Sequence, residues 1–292
     1  MQNRRDFLKR TSLLLAGSLM APQILKSGEV GAAHVKTMGF QVYSLRDMVA
    51  KSGIQAVLEA ISKIGYKNLE AANYDNGKIY GLTPADLKKR AGDLGLKFTS
   101  SHLSKAYSKE NKAEVMDWWD KAIEAHHALG VKYMIQPSMP VNEKSKLDEL
   151  ATYCEYFSKV GSKTADAGIS FGYHNHTGEF KKIGDHVILD YMLKNVNKKH
   201  VCFELDVYWC QEGGANPAEY LKKYAEQIRL THIKDAKEIG ASGKMDFKVI
   251  FDQMNANKVR DWYVEIEEYT NNDAVASAQQ SFDFLNKAAY VK

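Results

Sequence analysis

Cysteine is scarce in this sequence, and several familiar signatures are missing altogether. Cys154, Cys202 and Cys210 are the only three cysteines in 292 residues, too few for a disulfide scaffold. Cys154 falls in an apolar helical pattern and Cys202 opens a strand pattern, so both read as buried small hydrophobes. No apolar run reaches the length of a membrane-spanning helix. No linker or low-complexity stretch divides residues 39–288, which points to a single domain. The segment after the first strand candidate, Tyr43-Ser-Leu-Arg-Asp47, is no glycine-rich phosphate cradle, which argues against a dinucleotide-binding sheet.

A strong excess of charge is also lacking. The formal net charge is +4, and much of it sits at one end. Residues 1–33 carry Arg4, Arg5, Lys9, Arg10 and Lys26 against Asp6 and Glu29, a net +3 that leaves about +1 on residues 34–292. Without a basic face, nucleic acid is not an expected partner. The basic start followed by the apolar stretch Leu13 to Ala21 predicts an export signal over residues 1–33, ending at Gly31-Ala32-Ala33. Arg4-Arg5 before Phe7-Leu8-Lys9 is of the twin-arginine type, although Asn3 stands where Ser or Thr is usual. The expectation is an exported, periplasmic protein comprising residues 34–292, with no membrane association once mature.

What the chain does contain is a repeating punctuation. Ile64-Gly65-Tyr66-Lys67, Leu94-Gly95-Leu96-Lys97, Leu129-Gly130-Val131-Lys132 and Ala167-Gly168-Ile169-Ser170 each close a helical pattern with glycine and open an apolar run. Spacings of 30, 35 and 38 residues suit one strand plus one helix. Eight strand candidates follow: Phe40–Tyr43, Asn68–Ala72, Phe98–His102, Tyr133–Gln136, Ile169–His174, Val201–Val207, Leu230–Lys234 and Trp262–Glu267. Helical periodicity fills the gaps, as in Ile54–Ile64, Ala113–Leu129 and Pro217–Ile228. Thr83-Pro84 and Asn216-Pro217 are helix starts, a capping residue before proline at the first helical position. Eight such units in about 250 residues predict a single-domain (β/α)8 TIM barrel, an α/β fold.

In that architecture the C-terminal strand ends build the active site. Four consecutive strands end in polar residues spaced i, i+2, so that each pair shares a face. These are His174 with His176, Glu204 with Asp206, His232 with Lys234, and Glu265 with Glu267. Carboxylates mixed with imidazole suit one divalent metal ion, Mn, Co, Mg or Zn, and not a thiolate site. Tyr43, Glu70 and Gln136 at strand ends, His102 in Ser100-Ser101-His102-Leu103, and Trp209 beside Tyr208 are candidate substrate contacts. His126-His127 inside a helix pattern reads as structural, and Arg46-Asp47 as a loop ion pair.

Four motifs in this order resemble one family. Phe171-Gly-Tyr-His-Asn-His-Thr-Gly-Glu-Phe180, Phe203-Glu-Leu-Asp-Val-Tyr-Trp209, Thr231-His-Ile-Lys-Asp235 and Trp262-Tyr-Val-Glu-Ile266 look like the xylose isomerase-like TIM barrel family, over roughly residues 38–288. Its members include sugar phosphate isomerases and epimerases, inosose dehydratases and keto-sugar lyases. The resemblance implies one metal held by a carboxylate near the fifth strand, an Asp on the sixth, a His on the seventh and a Glu on the eighth. Here those positions are Glu179, Asp206, His232 and Glu265, with His174 or His176 as the other choices at the fifth strand. The expected activity is a metal-dependent isomerase or epimerase of a keto-sugar or related polyol through an enediolate. His174, His176 or Glu265 would take the proton, and Lys234 would polarise or neutralise developing charge. A lyase or dehydratase acting on 3-keto-glycosides or inososes shares the first step; a non-catalytic sugar-binding barrel is a further alternative. A small carbohydrate is the expected partner, and a homo-oligomer is compatible with the sequence.

Overall fold

The computed structural model describes residues 36–292; the segment 1–33, expected from the sequence to be an export signal, lies outside the described residues. Eight parallel strands form the wall of a closed barrel: β1 (Gly39–Gln41), β2 (Asn68–Ala71), β3 (Lys97–His102), β4 (Tyr133–Gln136), β5 (Ser170–His174), β6 (Val201–Asp206), β7 (Ile228–Lys234) and β8 (Asp261–Glu265). Neighbours in the barrel are neighbours in sequence, and β8 pairs back onto β1 through Gly39 opposite Tyr263 and Phe40 opposite Val264. The outer layer holds α1 (Arg46–Ile64), α2 (Pro84–Asp93), α3 (Lys112–Leu129), α4 (Leu147–Asp166), α5 (Ile188–Asn195), α6 (Val207–Glu212), α7 (Pro217–Lys223), α8 (Phe247–Ala256) and α9 (Ala274–Lys287). No helix among the described residues is long and apolar enough to cross a membrane. The predicted TIM barrel is therefore present as one domain.

Local chemistry explains the boundaries. Gly130 ends α3 in the left-handed region at φ 90° and donates its N–H to the His126 carbonyl, a conformation that costs a side-chain-bearing residue energy. Thr83 Oγ1 accepts from the Asp86 N–H, and Asn216 Oδ1 accepts from Ala218 and Glu219, so both predicted caps are in place. Several predicted edges shift. Strand β1 stops at Gln41 because Tyr43 already belongs to a 3-10 turn, Val42–Leu45, capped by the Gln41 side chain. Strand β6 stops at Asp206, which caps α6, and α7 ends at Lys223, leaving Ile228 to start β7. Strand β8 ends at Glu265, short of Glu267. Arg46 opens α1 and makes no ion pair with Asp47; its guanidinium donates to the carbonyls of Tyr43 and Glu267.

Two separate apolar clusters follow from strand parity. Outward residues such as Phe171, Tyr173, Ile233 and Val264 join the helices in the large outer core. Inward residues Ile135, Cys202, Leu230 and Tyr263 form a small inner cluster. Glycine at 172 is needed there, since a Cβ would lie 2.7 Å from Ile135 Cδ1 and 3.0 Å from Cys202 Sγ. All three cysteines are free and buried, in keeping with the reading of Cys154 and Cys202 as hydrophobes.

Candidate active site

Two residues beyond that apolar floor, the same inward faces turn polar. Glu204 follows Cys202 on β6, His232 follows Leu230 on β7, and Glu265 follows Tyr263 on β8. One pleat further come Asp206 and Lys234. The pleat places all of these on one face of their strands, and barrel closure turns those faces toward one axis. All five are buried.

The upper set consists of His174, Asp206, His232 and Glu265, whose ligand-type atoms lie within 4.8 Å of one another. His232 Nδ1 stands 3.2 Å from Glu265 Oε2 and 4.0 Å from Asp206 Oδ2. Asp206 is held by its surroundings: Oδ1 accepts the Trp209 N–H at 2.8 Å, and Asn175 pairs with its main chain. Its Oδ2 is buried without a hydrogen-bond partner among the described residues. A buried unpartnered carboxylate oxygen is costly, and burial pushes the Asp206 carboxyl up to about 7. Lys234 spans Glu265 at 3.1 Å and Glu267 at 3.3 Å. Burial opposes its charge, but Glu265, Asp206 and Glu267 hold the ammonium above its ordinary pKa. Burial likewise opposes the charge on Glu265, yet Lys234 and His232 keep that carboxyl well below the usual range.

The lower set is Glu70, His102, Glu204 and His232. Three imidazole nitrogens converge on Glu204 Oε2, from His102 at 2.6 Å, His174 at 3.2 Å and His232 at 3.3 Å. Glu70 Oε2 accepts from His232 Nε2 at 2.6 Å and from Gln41 Nε2 at 2.7 Å, while its Oε1 accepts from Ser100 Oγ at 2.6 Å. Burial would strip the proton from His232, but Glu204, Glu265 and Glu70 hold its pKa well above the imidazole range. His174 goes the other way, driven well below that range by burial and by His232 and His102.

A cavity of about 310 Å³ opens above the upper set, lined among others by Tyr43, His102, His174, His176, Glu265 and Glu267. Such a volume suits a small ligand. Tyr43 stands on its rim, 44% exposed. Among the described residues that line it there is no lysine or arginine. Trp209 sits behind, its ring 5.3 Å from Lys234 Nζ and 6.1 Å from the His176 ring.

Most of the residues singled out in the sequence thus meet, but Trp209 and Lys234 do not line the cavity, and three others depart further. Glu179 does not join the metal-type cluster: it lies in a 3-10 turn, where its carboxylate accepts from Tyr173 Oη and the His176 N–H, and His174 takes the fifth-strand position. Gln136 has the opposite parity to the inward Ile135, and its amide faces Tyr156 and the Ser138 carbonyl. Glu70 is fully buried below the cavity and cannot contact a ligand there. Sequence reading missed the convergence on Glu204, although its place two residues before Asp206 was the available signal. It also missed Gln41, Ser100 and Asn175, which carry no signal of their own. His126 is structural as read, bonded to the Ala122 carbonyl and Ser101 Oγ.

The sequence model of the family described as xylose isomerase-like TIM barrel matches residues 58–288. A solved sugar phosphate isomerase/epimerase from Parabacteroides distasonis is 36% identical, with a TM-score of 0.83 over 88% of this chain and 100% of its own. An inosose dehydratase from Geobacillus kaustophilus is 22% identical over 238 residues, 75% of this chain and 74% of that protein. A solved L-ribulose 3-epimerase shares the fold at 15% identity, with a TM-score of 0.71 over 86% of this chain and 93% of its own.

Proposed function

We propose, from the premise that this chain belongs to the xylose isomerase-like TIM barrel family, that it is a divalent-metal-dependent isomerase or epimerase of an unphosphorylated keto-sugar or related polyol. The observation that carries this reading is the buried convergence of His174, Asp206, His232 and Glu265 beneath the cavity, with Asp206 Oδ2 left unpartnered. Two imidazoles and two carboxylates are a donor set for Mn, Co, Mg or Zn. Bound there, such an ion supplies Lewis acidity toward adjacent carbonyl and hydroxyl oxygens.

The remaining work falls to the chain's own side chains. His176 lines the cavity, and burial lowers its pKa, so it is a neutral imidazole able to take a proton alpha to a carbonyl. Glu179 fixes the loop that carries it through the His176 N–H. Lys234, held charged between Glu265 and Glu267, balances negative charge that develops at the substrate. Because His174 stands among the metal-type donors, the base role passes to His176.

A phosphorylated substrate calls for a cationic clamp, and the described cavity lining offers two carboxylates and no lysine or arginine. Export through the segment 1–33 would fit the same substrate class, and we place the mature enzyme in the periplasm. The inosose dehydratase likeness favours a second outcome from the same start, loss of a β-substituent after proton removal. The test is incubation of metal-loaded protein with unphosphorylated keto-sugars, inososes and 3-keto-glycosides in D2O. Deuterium should enter alpha to the carbonyl, with loss of exchange on chelation. Turnover with that C–H fully retained would rule the proton-abstraction reading out.

A further inference from the structure

The carboxylates directly under the four donors, Glu70 and Glu204, take no part in the reading above, yet both are hydrogen-bonded to histidines of the site. His232 turns Nδ1 toward Glu265 and Asp206, and Nε2 toward Glu70 at 2.6 Å. A ligating nitrogen must be unprotonated, so with an ion on Nδ1 the remaining proton of His232 would sit on Nε2 and be donated to Glu70. His174 repeats the arrangement, with Nδ1 3.2 Å from Glu204 Oε2, leaving its Nε2 as the ligating atom. Both carboxylates are themselves braced. Gln41 Nε2 and Ser100 Oγ donate to Glu70, and His102 Nε2 lies 2.6 Å from Glu204.

We propose, resting on the metal-dependent reading, that Glu70 and Glu204 are positioning residues, each accepting an N–H from one ligating histidine and so fixing its tautomer and ring plane toward the ion. Imidazole ligands backed by a carboxylate are more basic and better oriented than free ones. The rival arrangement is a second cation among His102, His174, Glu204 and His232, whose ligand-type atoms also lie within 4.8 Å of one another. It would require His232 to bind through both nitrogens as an imidazolate, and His174 to surrender the bond that orients it.

The experiment uses Glu70→Gln and Glu204→Gln in metal-free protein, titrated with Co2+ against a chromophoric chelator. Elemental analysis, the cobalt visible spectrum and thermal unfolding accompany the titration. One equivalent of metal should bind to wild type and to both variants, with affinity about tenfold to a hundredfold weaker in each variant. The cobalt bands should shift as the rings turn, and Glu70→Asp should recover part of the affinity. Lowered unfolding temperatures with unchanged affinity and spectrum would reduce both residues to structural ones and overturn the proposal. Two equivalents in wild type, falling to one in Glu204→Gln, would replace it with the second-cation arrangement. A wild type that takes up no metal would sink the metal-dependent reading and this one with it. Should Glu70→Gln fail to fold, Ser100→Ala removes one bond to Glu70 while keeping its charge. That variant should bind Co2+ several-fold more weakly, and unaltered affinity there would equally overturn the proposal.

Discussion

The lower and upper halves of the barrel interior are two residues apart on the same strands and follow opposite rules. Moving one pleat up β6, β7 and β8 exchanges Cys202 for Glu204, Leu230 for His232 and Tyr263 for Glu265. Below, burial of apolar side chains stabilises the fold. Above, burial opposes the charge of nearly every group, and only mutual pairing offsets that cost. Stability and chemistry are thus separated along the strand axis, and a substitution should affect one or the other according to its level.

The largest expected effect comes from breaking the upper half. Asp206→Ala should lower catalytic efficiency on the order of a thousandfold and abolish stoichiometric metal uptake, checked by turnover and elemental analysis. Metal-free Asp206→Asn should unfold no earlier than metal-free wild type, because a buried carboxylate with one unpartnered oxygen is removed. Wild-type metal content in Asp206→Ala would contradict this division. Breaking the lower half should do the reverse. Leu230→Ala should cost about 2–5 kcal/mol in denaturant unfolding, while the folded fraction keeps its metal affinity.

A histidine outside the barrel wall sharpens the contrast. His126 is 0% exposed on α3, and burial depresses its pKa to about 4. The unfolded chain therefore binds a proton that the folded protein refuses between pH 6.5 and about 4. Its contribution is full above pH 6.5 and declines as the pH falls, by up to about 3 kcal/mol. In His126→Gln this component of the pH dependence should vanish, as measured by urea unfolding at a series of pH values. The smallest effect is expected at Glu179, which braces a loop and does not face the donors. Glu179→Gln should retain about one metal equivalent and lose less than about tenfold in activity, the latter through the His176 main chain. Loss of metal in that variant would restore Glu179 as a ligand.

The barrel was legible in the sequence because its punctuation is local. Gly130 must adopt its backbone conformation whatever surrounds it, and the alternation of Cys202, Glu204 and Asp206 records which face points inward. Register at strand ends was less legible, since a cap can claim the last residue: Asp206 was read within its strand but also starts α6. The position of Glu179 depended on a turn and a Tyr173 hydroxyl partner brought close only by the fold. Gln136 failed for a simpler reason, a parity error of one residue next to Ile135. The convergence on Glu204 needed three strands to close around it; its spacing from Asp206 encodes only that it faces inward.

Of the two Asp206 oxygens one caps a helix and the other faces the site without a hydrogen-bond partner, and this links the site to an optical signal. Oδ1 holds the Trp209 N–H, and the indole lies near Lys234 and His176. The other tryptophans, Trp118, Trp119 and Trp262, pack against Tyr74, Phe171 and Phe251 outside the barrel wall. Any event that recruits Asp206 Oδ2 should therefore perturb one tryptophan of the four and leave three as an internal standard.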